Sequence, residues 1–385
     1  MKNEKSYTSS ILLSAASVML MAPALRLFPS LAARLAGRGA WVSALAAFPV
    51  LAVYAWFLVR FASCAEAGEG APELIERACG LRLGRAVLCV SSLWFLLYSA
   101  FILRAGADRL ITTVYPNASP LFFIVITGAL GIWAALGAIV TVERTAKLIE
   151  PMIAAVLAVI LVSGALSADK AAIFPITVYD AVPILKGSAA AVDVISASLY
   201  GIFFISLCTE KRKSTLRGWL LWSAEACVFL CVLCIAVIGS FGAELAGGLV
   251  HPFFSLVRNL KVFGSRVRVD AFVVALWVFP DYVIFSAFLW MGQSCLRRAV
   301  LSDSPAHSEI PGAAPAGKCP RLDMRNGRWV IPTAGIAVII TAAVMAKDAR
   351  TLALWSERLI PAINLAFAFV LLPAVYISGK ARRKI

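Results

Sequence analysis

Apolar runs of about 20 residues recur along the whole chain, and most of the charged residues fall between them. A run of that length lets an α-helix cross about 30 Å of hydrocarbon. The bilayer core offers no water to backbone amides, so spans built from such runs are helices. The short alternating strands of a membrane barrel do not occur. The pattern predicts an all-α integral membrane protein with about ten transmembrane helices, over 10–28, 40–62, 84–106, 120–140, 149–166, 190–208, 216–241, 271–295, 330–346 and 359–377. Residues 1–385 read as a single transmembrane domain.

The connecting segments carry further structure. The stretch 70–85 mixes charges with Leu74, Ile75 and Leu83, which predicts a short amphipathic helix. The stretch 251–270 interleaves Phe253, Phe254, Leu256, Val257 and Leu260 with Arg258, Lys261, Arg266 and Arg268. That pattern predicts an interfacial helix lying at the outer surface. Residues 302–327 are rich in Pro, Gly and Ala and predict a mobile cytoplasmic loop. Lys and Arg favour one set of connections, among them Lys2, Lys5, Arg77, Arg82, Arg144, Lys147, Lys211, Arg212, Lys213 and the tail Arg382–Lys384. The positive-inside bias then places both termini in the cytoplasm.

Composition agrees with this picture. Of 385 residues, 61% are hydrophobic and 15% charged, against about 25% charged in an ordinary soluble domain. The net charge of +15 belongs to loops meeting anionic lipid; no basic stripe on a soluble fold points to nucleic acid. Cys227, Cys231 and Cys234 share a helical face inside an apolar run, where small-residue packing is the expected role. With His251 and His307 as the only histidines, a metal site has little to draw on, and no cofactor is expected. Paired catalytic histidines, a nucleophile elbow and a phosphate loop are all missing, so an enzyme is not expected.

Polar residues within spans are the candidates for function, because each is costly in lipid and tends to face a cavity or a partner. Asp281 follows Pro280 near the middle of the eighth span and shares a helical face with Trp277. Two readings stand open for it: a cavity wall that takes a proton or a ligand ammonium, and a carboxyl hydrogen-bonded to a neighbouring helix. Glu225 in the seventh span is a candidate for proton coupling or for a structural hydrogen bond. Tyr98 in the third span is either a cavity hydroxyl or packing. Asp193 is expected to cap the sixth span, Arg26 and Arg104 to snorkel to the interface, and Glu143, Arg144 and Lys147 to form an ion-pair network at a turn.

Several spaced landmarks together resemble the B subunit of spore germinant receptors, the endospore germination permease family of the amino acid–polyamine–organocation superfamily. The segment Leu31–Trp41 resembles that family's connection between spans one and two. Val142-Glu143-Arg144 with Ile149-Glu150-Pro151 resembles its turn into span five, and Phe174-Pro175-Ile176 its loop before span six. The block His251-Pro252-Phe253-Phe254-Ser255-Leu256-Val257-Arg258, followed by Arg268-Val269-Asp270-Ala271 and Trp277, is similar to its aromatic-proline segment and the start of span eight.

The resemblance implies a 5+5 inverted repeat, about 10–166 and 190–377, with helices 1 and 6 discontinuous around a ligand site. Half-helix ends at such breaks attract the carboxylate and ammonium of an amino acid. In this chain the matching positions are Ala22 and Pro23 in span one, which has no glycine, and Ser198, Tyr200 and Gly201 in span six. Tyr98, Trp277 and Asp281 complete the candidate ligand site, with Glu225 and Asp281 as coupling candidates. The resemblance further implies a small nutrient ligand such as an amino acid, A-type and C-type partner subunits and a place in the spore inner membrane. Proton-coupled amino acid transport by the same fold is the alternative.

Overall fold

The computed structural model describes residues 9–65, 69–136, 139–201, 212–259, 269–301, 330–345 and 348–382. Among these, ten rods pack side by side. The first is α1 (Ser9–Ala36), and a 3-10 turn at Gly37–Gly39 folds the chain back into α2 (Ala40–Ala46) and α3 (Phe48–Ala62), which make the second. A short α4 (Ala71–Cys79) leads to α5 (Leu81–Thr113), α6 (Pro120–Leu136) and α7 (Ile139–Leu166). After α8 (Lys170–Ile173) come α9 (Ala181–Leu199) and α10 (Arg212–Phe241). The short helices α11 (Ala243–Gly248) and α12 (Pro252–Asn259) precede α13 (Val269–Leu301) and α14 (Val330–Val344). The tenth rod joins α15 (Ala349–Leu354), α16 (Ile360–Ala366) and α17 (Leu372–Ala381) through two π-helical turns, Trp355–Leu359 and Phe367–Leu371.

Burial explains the layering. α1 is covered on almost every side, with Leu12, Val18, Ala24, Leu25 and Phe28 at 1% exposure or less, so it is a central helix. The last third of α9 is equally enclosed. The outer rods turn large apolar side chains outward instead, among them Trp133, Val159, Ile340 and Val370. A protein in water avoids such a belt; one in lipid needs it. Among the described residues, six segments are long and apolar enough to cross a membrane, and α6 and α14 are shorter apolar helices. The protein is an all-helical integral membrane bundle.

Several boundaries differ from the sequence reading. The fifth span starts ten residues earlier, at Ile139, so Glu143 lies inside α7 and is buried rather than at a turn. Nothing in the apolar pattern marks Glu143, because one carboxylate interrupts a helix no more than a loop does. Lys147 donates to Ser10 Oγ (2.8 Å) in place of an ion pair with Glu143. The sixth span begins at Ala181, and the predicted stretch beyond Gly201 falls outside the described residues, as does the loop 302–327. The third span runs on to Thr113, carrying Arg104, Asp108 and Arg109 within a helix.

The two ends of the bundle are closed differently. At one end, the amphipathic helix predicted in 70–85 is α4, whose Leu74, Ile75 and Glu76 are buried. Gly80, at φ +82°, makes the corner between α4 and α5, a conformation that a residue with a β-carbon rarely adopts. Arg298 of α13 pairs with Glu76, Arg382 donates to the Cys79 carbonyl, and Arg77 pairs with Glu69 at 2.8 Å. At the other end sits α12. It is not a surface helix: Phe253, Phe254, Leu256 and Val257 are all buried, and the rings of Phe253 and Phe254 lie 5.4 Å from that of Trp277. Three of the four basic residues of the predicted segment, Lys261, Arg266 and Arg268, fall outside the described residues.

Candidate functional site

Two clusters of buried polar side chains interrupt the apolar interior. The first joins α9 to α16. Asp193 does not cap a helix; it sits inside α9, where Asn364 Nδ2 donates to its Oδ1 (2.7 Å) and to its backbone carbonyl (3.0 Å). The same nitrogen lies 3.0 Å from Ser196 Oγ, and Tyr200 donates its hydroxyl to Asn364 Oδ1 (2.6 Å). Asn364 is 1% exposed and flanked by the two π-helical turns, a local form common where helices serve function. Tyr200 then packs edge-on against Phe95, Phe288 and Phe367.

The second cluster lies between α1, α5 and α13, beneath α12. Both terminal nitrogens of Arg109 donate to Asp281, Nη1 to Oδ1 at 3.4 Å and Nη2 to Oδ2 in a closer contact. Both residues are buried. The approach of α5 to α13 requires Gly106, because a β-carbon there would stand 2.7 Å from Asp281 Oδ2. Beside the pair is a crevice of about 10 Å³, room for one water, lined by Ile102, Gly106, Leu110, Thr127 and Phe285. The Arg109 guanidinium also lies 5.9 Å from the centre of the Trp277 ring. Asp281 is thus a hydrogen-bonded, ion-paired carboxylate whose partner is Arg109.

Arg26 and Arg104, expected at the interface, are both buried inside the bundle. Arg26 stands one turn from Ala22 on α1, 5.0 Å from the centre of the Phe101 ring, and within electrostatic reach of Asp281, Tyr98, Arg109 and Asp108. Its Nε and Nη2 are buried with no hydrogen-bond partner among the described residues. His251, at the start of α12, likewise has both ring nitrogens buried without partners.

The structure brings some of the predicted site residues together and separates others. Tyr98 packs on Phe288 at 4.4 Å and lies within electrostatic reach of both Arg26 and Asp193, so it stands between the two clusters. Trp277 and Asp281 belong to the second cluster and Tyr200 to the first. Ser198 is fully buried near the end of α9, its hydroxyl without a partner among the described residues. α9 ends at Leu199, and a 3-10 turn takes Tyr200 and Gly201. α1, by contrast, is one unbroken helix through Ala22 and Pro23; the proline removes a single donor there and no segment unwinds. Glu225 joins neither cluster. It is exposed on the outer face of α10, in line with Arg217, Leu221 and Val228.

Arg26, Arg109, Asp193 and Asn364 are the residues that sequence reasoning passed over or placed elsewhere. Arg109 carried a signal: it is a cation inside a helical run that the apolar pattern ended too early. Asn364 carried one as well, being the sole amide side chain in the apolar stretch 359–377.

The whole chain superposes on solved membrane transporters. A substrate-bound, outward-open sodium-coupled sialic acid symporter matches with a TM-score of 0.61 and 14% identity, covering 99% of this chain and 92% of that one. A nucleobase-cation-symport-1 family transporter, closed with bromovinylhydantoin bound, matches with a TM-score of 0.60 and 14% identity, covering 100% and 83%. At that identity the likeness shows the fold alone. No curated protein matches the sequence. The family model described as spore germination protein matches residues 8–304. The chain belongs to the spore germination protein family. Both clusters fall largely inside the matched region, with Asn364 beyond it, so this member of the family combines a transporter fold with a charged interior.

Proposed function

We propose that this protein is the B-type subunit of a spore germinant receptor. It binds a small nutrient, an amino acid by preference, within the transmembrane bundle and signals through A-type and C-type subunits in the spore inner membrane, with both termini cytoplasmic. The observation that carries this reading is the family match over residues 8–304 on a chain whose interior holds charged groups where inert packing would place apolar ones. Ligand binding would shift the population between arrangements of the helices, and no bond need be made or broken.

Deleting the gene tests the reading. Spores lacking it lose the fall in optical density that follows addition of the cognate amino acid, and a plasmid copy restores it. An unchanged response to every L-amino acid removes the receptor reading. Affinity purification of the tagged chain from spore membranes is expected to recover its A-type and C-type partners.

The shared fold with symporters favours a second reading, proton-coupled uptake of an amino acid, with Asp281, when parted from Arg109, as the proton carrier; Glu225, on the outer face of α10, is not placed for that role. Proteoliposomes containing this chain alone decide it: accumulation of labelled amino acid driven by a proton gradient supports transport.

A further inference from the structure

Arg26 is out of electrostatic balance. Around it the described residues provide three guanidinium groups, on Arg26, Arg104 and Arg109, and two carboxylates, on Asp108 and Asp281. Asp281 is engaged through both oxygens by Arg109. Asp108 lies one turn from Arg104 on the same helix and interacts with it more strongly than with Arg26. Arg26 keeps the face of Phe101 and two buried nitrogens without partners, at 6% exposure. A desolvated cation is expensive to hold in this way, and a ring face returns only part of the loss. A protein that retains such a group has a use for its charge.

The surroundings say what would complete it. Tyr98 and Phe101 wall the position from α5, and Trp277 stands beside Arg109 on α13. His251, at the start of α12, is within electrostatic reach of both Arg26 and Arg109, and its two buried ring nitrogens have no partner among the described residues. With three guanidinium groups and two carboxylates, the described residues leave this position one negative charge short. We propose that Arg26 and His251 form an anion site between α1, α5 and α13, beneath α12, which takes one small monoanionic group: the carboxylate of the ligand, or an inorganic anion such as chloride. The forked guanidinium suits a planar carboxylate held by two bonds. The site differs from a cradle of backbone amides at a broken first helix, since α1 is continuous here. The identity of the organic ligand rests on the receptor reading above; the existence of the site does not.

The test uses the full chain purified in lipid nanodiscs, with thermal unfolding as the readout. The probes are the twenty L-α-amino acids, their carboxamides, and sodium chloride titrated into a chloride-free buffer. At least one free amino acid raises Tm while its carboxamide does not, or chloride raises it; the first outcome assigns the site to a ligand carboxylate and the second to an inorganic anion. In Arg26→Gln the apparent affinity for that probe falls about tenfold or more, and Arg26→Lys recovers part of it. Without any probe, Arg26→Gln unfolds at a higher temperature than the parent, because an uncompensated charge has been removed. Four results overturn the proposal: no probe shifts Tm, an amino acid and its carboxamide raise Tm equally while chloride does nothing, the shift survives Arg26→Gln, or unliganded Arg26→Gln is less stable than the parent. Spore germination is scored separately, so a nanodisc result for or against the anion site stands whether or not the chain proves to be a receptor subunit.

Discussion

Around Asn364 the buried polar groups answer one another; around Arg26 they do not. In the first cluster an amide, a carboxylate and two hydroxyls close on themselves across α9 and α16 within 2.6–3.0 Å. In the second, a tight Arg109–Asp281 pair leaves Arg26 and His251 with buried nitrogens that have no partner among the described residues. Both sit in the same low-dielectric interior, where a satisfied network fixes structure and an unsatisfied one is costly. Under the proposal above the two do different work: the α9–α16 cluster holds helices in register, and the α1–α5–α13 cluster receives an anion.

The comparison is broken most severely at Asp281. Asp281→Ala strands Arg109 beside Arg26, and loss of one partner of a buried pair costs about 3–5 kcal/mol. Thermal unfolding in nanodiscs reads that loss, and the double variant Arg109→Met/Asp281→Leu recovers most of it because both charges leave together. A double variant no better than Asp281→Ala would mean that the pair is not isolated from its neighbours.

The closed cluster yields a smaller effect. Asn364→Leu leaves the Asp193 carboxylate and the Tyr200 hydroxyl unanswered, at about 1–3 kcal/mol per stranded group. If the α9–α16 cluster is purely structural, this variant keeps its ligand-induced Tm shift while its baseline Tm drops.

Acid sharpens the contrast from the other side. Burial first, then Arg109 and Arg26, push the His251 imidazole down to about 3. The folded protein therefore favours neutral His251, and its contribution to stability is complete above the ordinary value of about 6.5 and drains as pH falls toward about 3. Between pH 7 and pH 5.5 the loss is about 1 kcal/mol. Tm measured against pH shows it, and His251→Phe flattens the curve over that window.

The smallest effect is expected at Gly201. A β-carbon there meets only Trp219, at an ordinary 3.7 Å, so Gly201→Ala changes stability by less than about 0.5 kcal/mol. Gly201→Leu drives a larger group against Trp219 and blocks movement at the end of α9. Germination at the parental rate in Gly201→Leu spores would show that this turn plays no part in signalling.

Much of the fold was legible because lipid imposes a simple demand: ten greasy stretches produced ten rods, and the amphipathic segment 70–85 produced α4. The boundaries that slipped did so at charged residues, since a helix carrying Glu143 or Arg109 looks like the end of a span until its neighbours are known. The sites were less readable for the same reason. Asp281 stood out as a carboxylate beside a proline, but its partner lies 172 residues away on α5 and leaves no mark in the local pattern. Arg26 resembled a side chain reaching for water, and only its burial against the Phe101 ring shows otherwise. Glu225, conspicuous in the sequence, turned outward instead.

The tenth rod holds one more consequence. Each π-helical turn accommodates one residue beyond the regular winding, so Trp355–Leu359 and Phe367–Leu371 store slack on either side of Asn364. Sliding one residue from one bulge to the other rotates the intervening segment by about 100° without lengthening the rod. The amide that joins α16 to Asp193 and Tyr200 therefore owes its facing to both flanking turns, and removing the extra residue from either one would swing it off its partners.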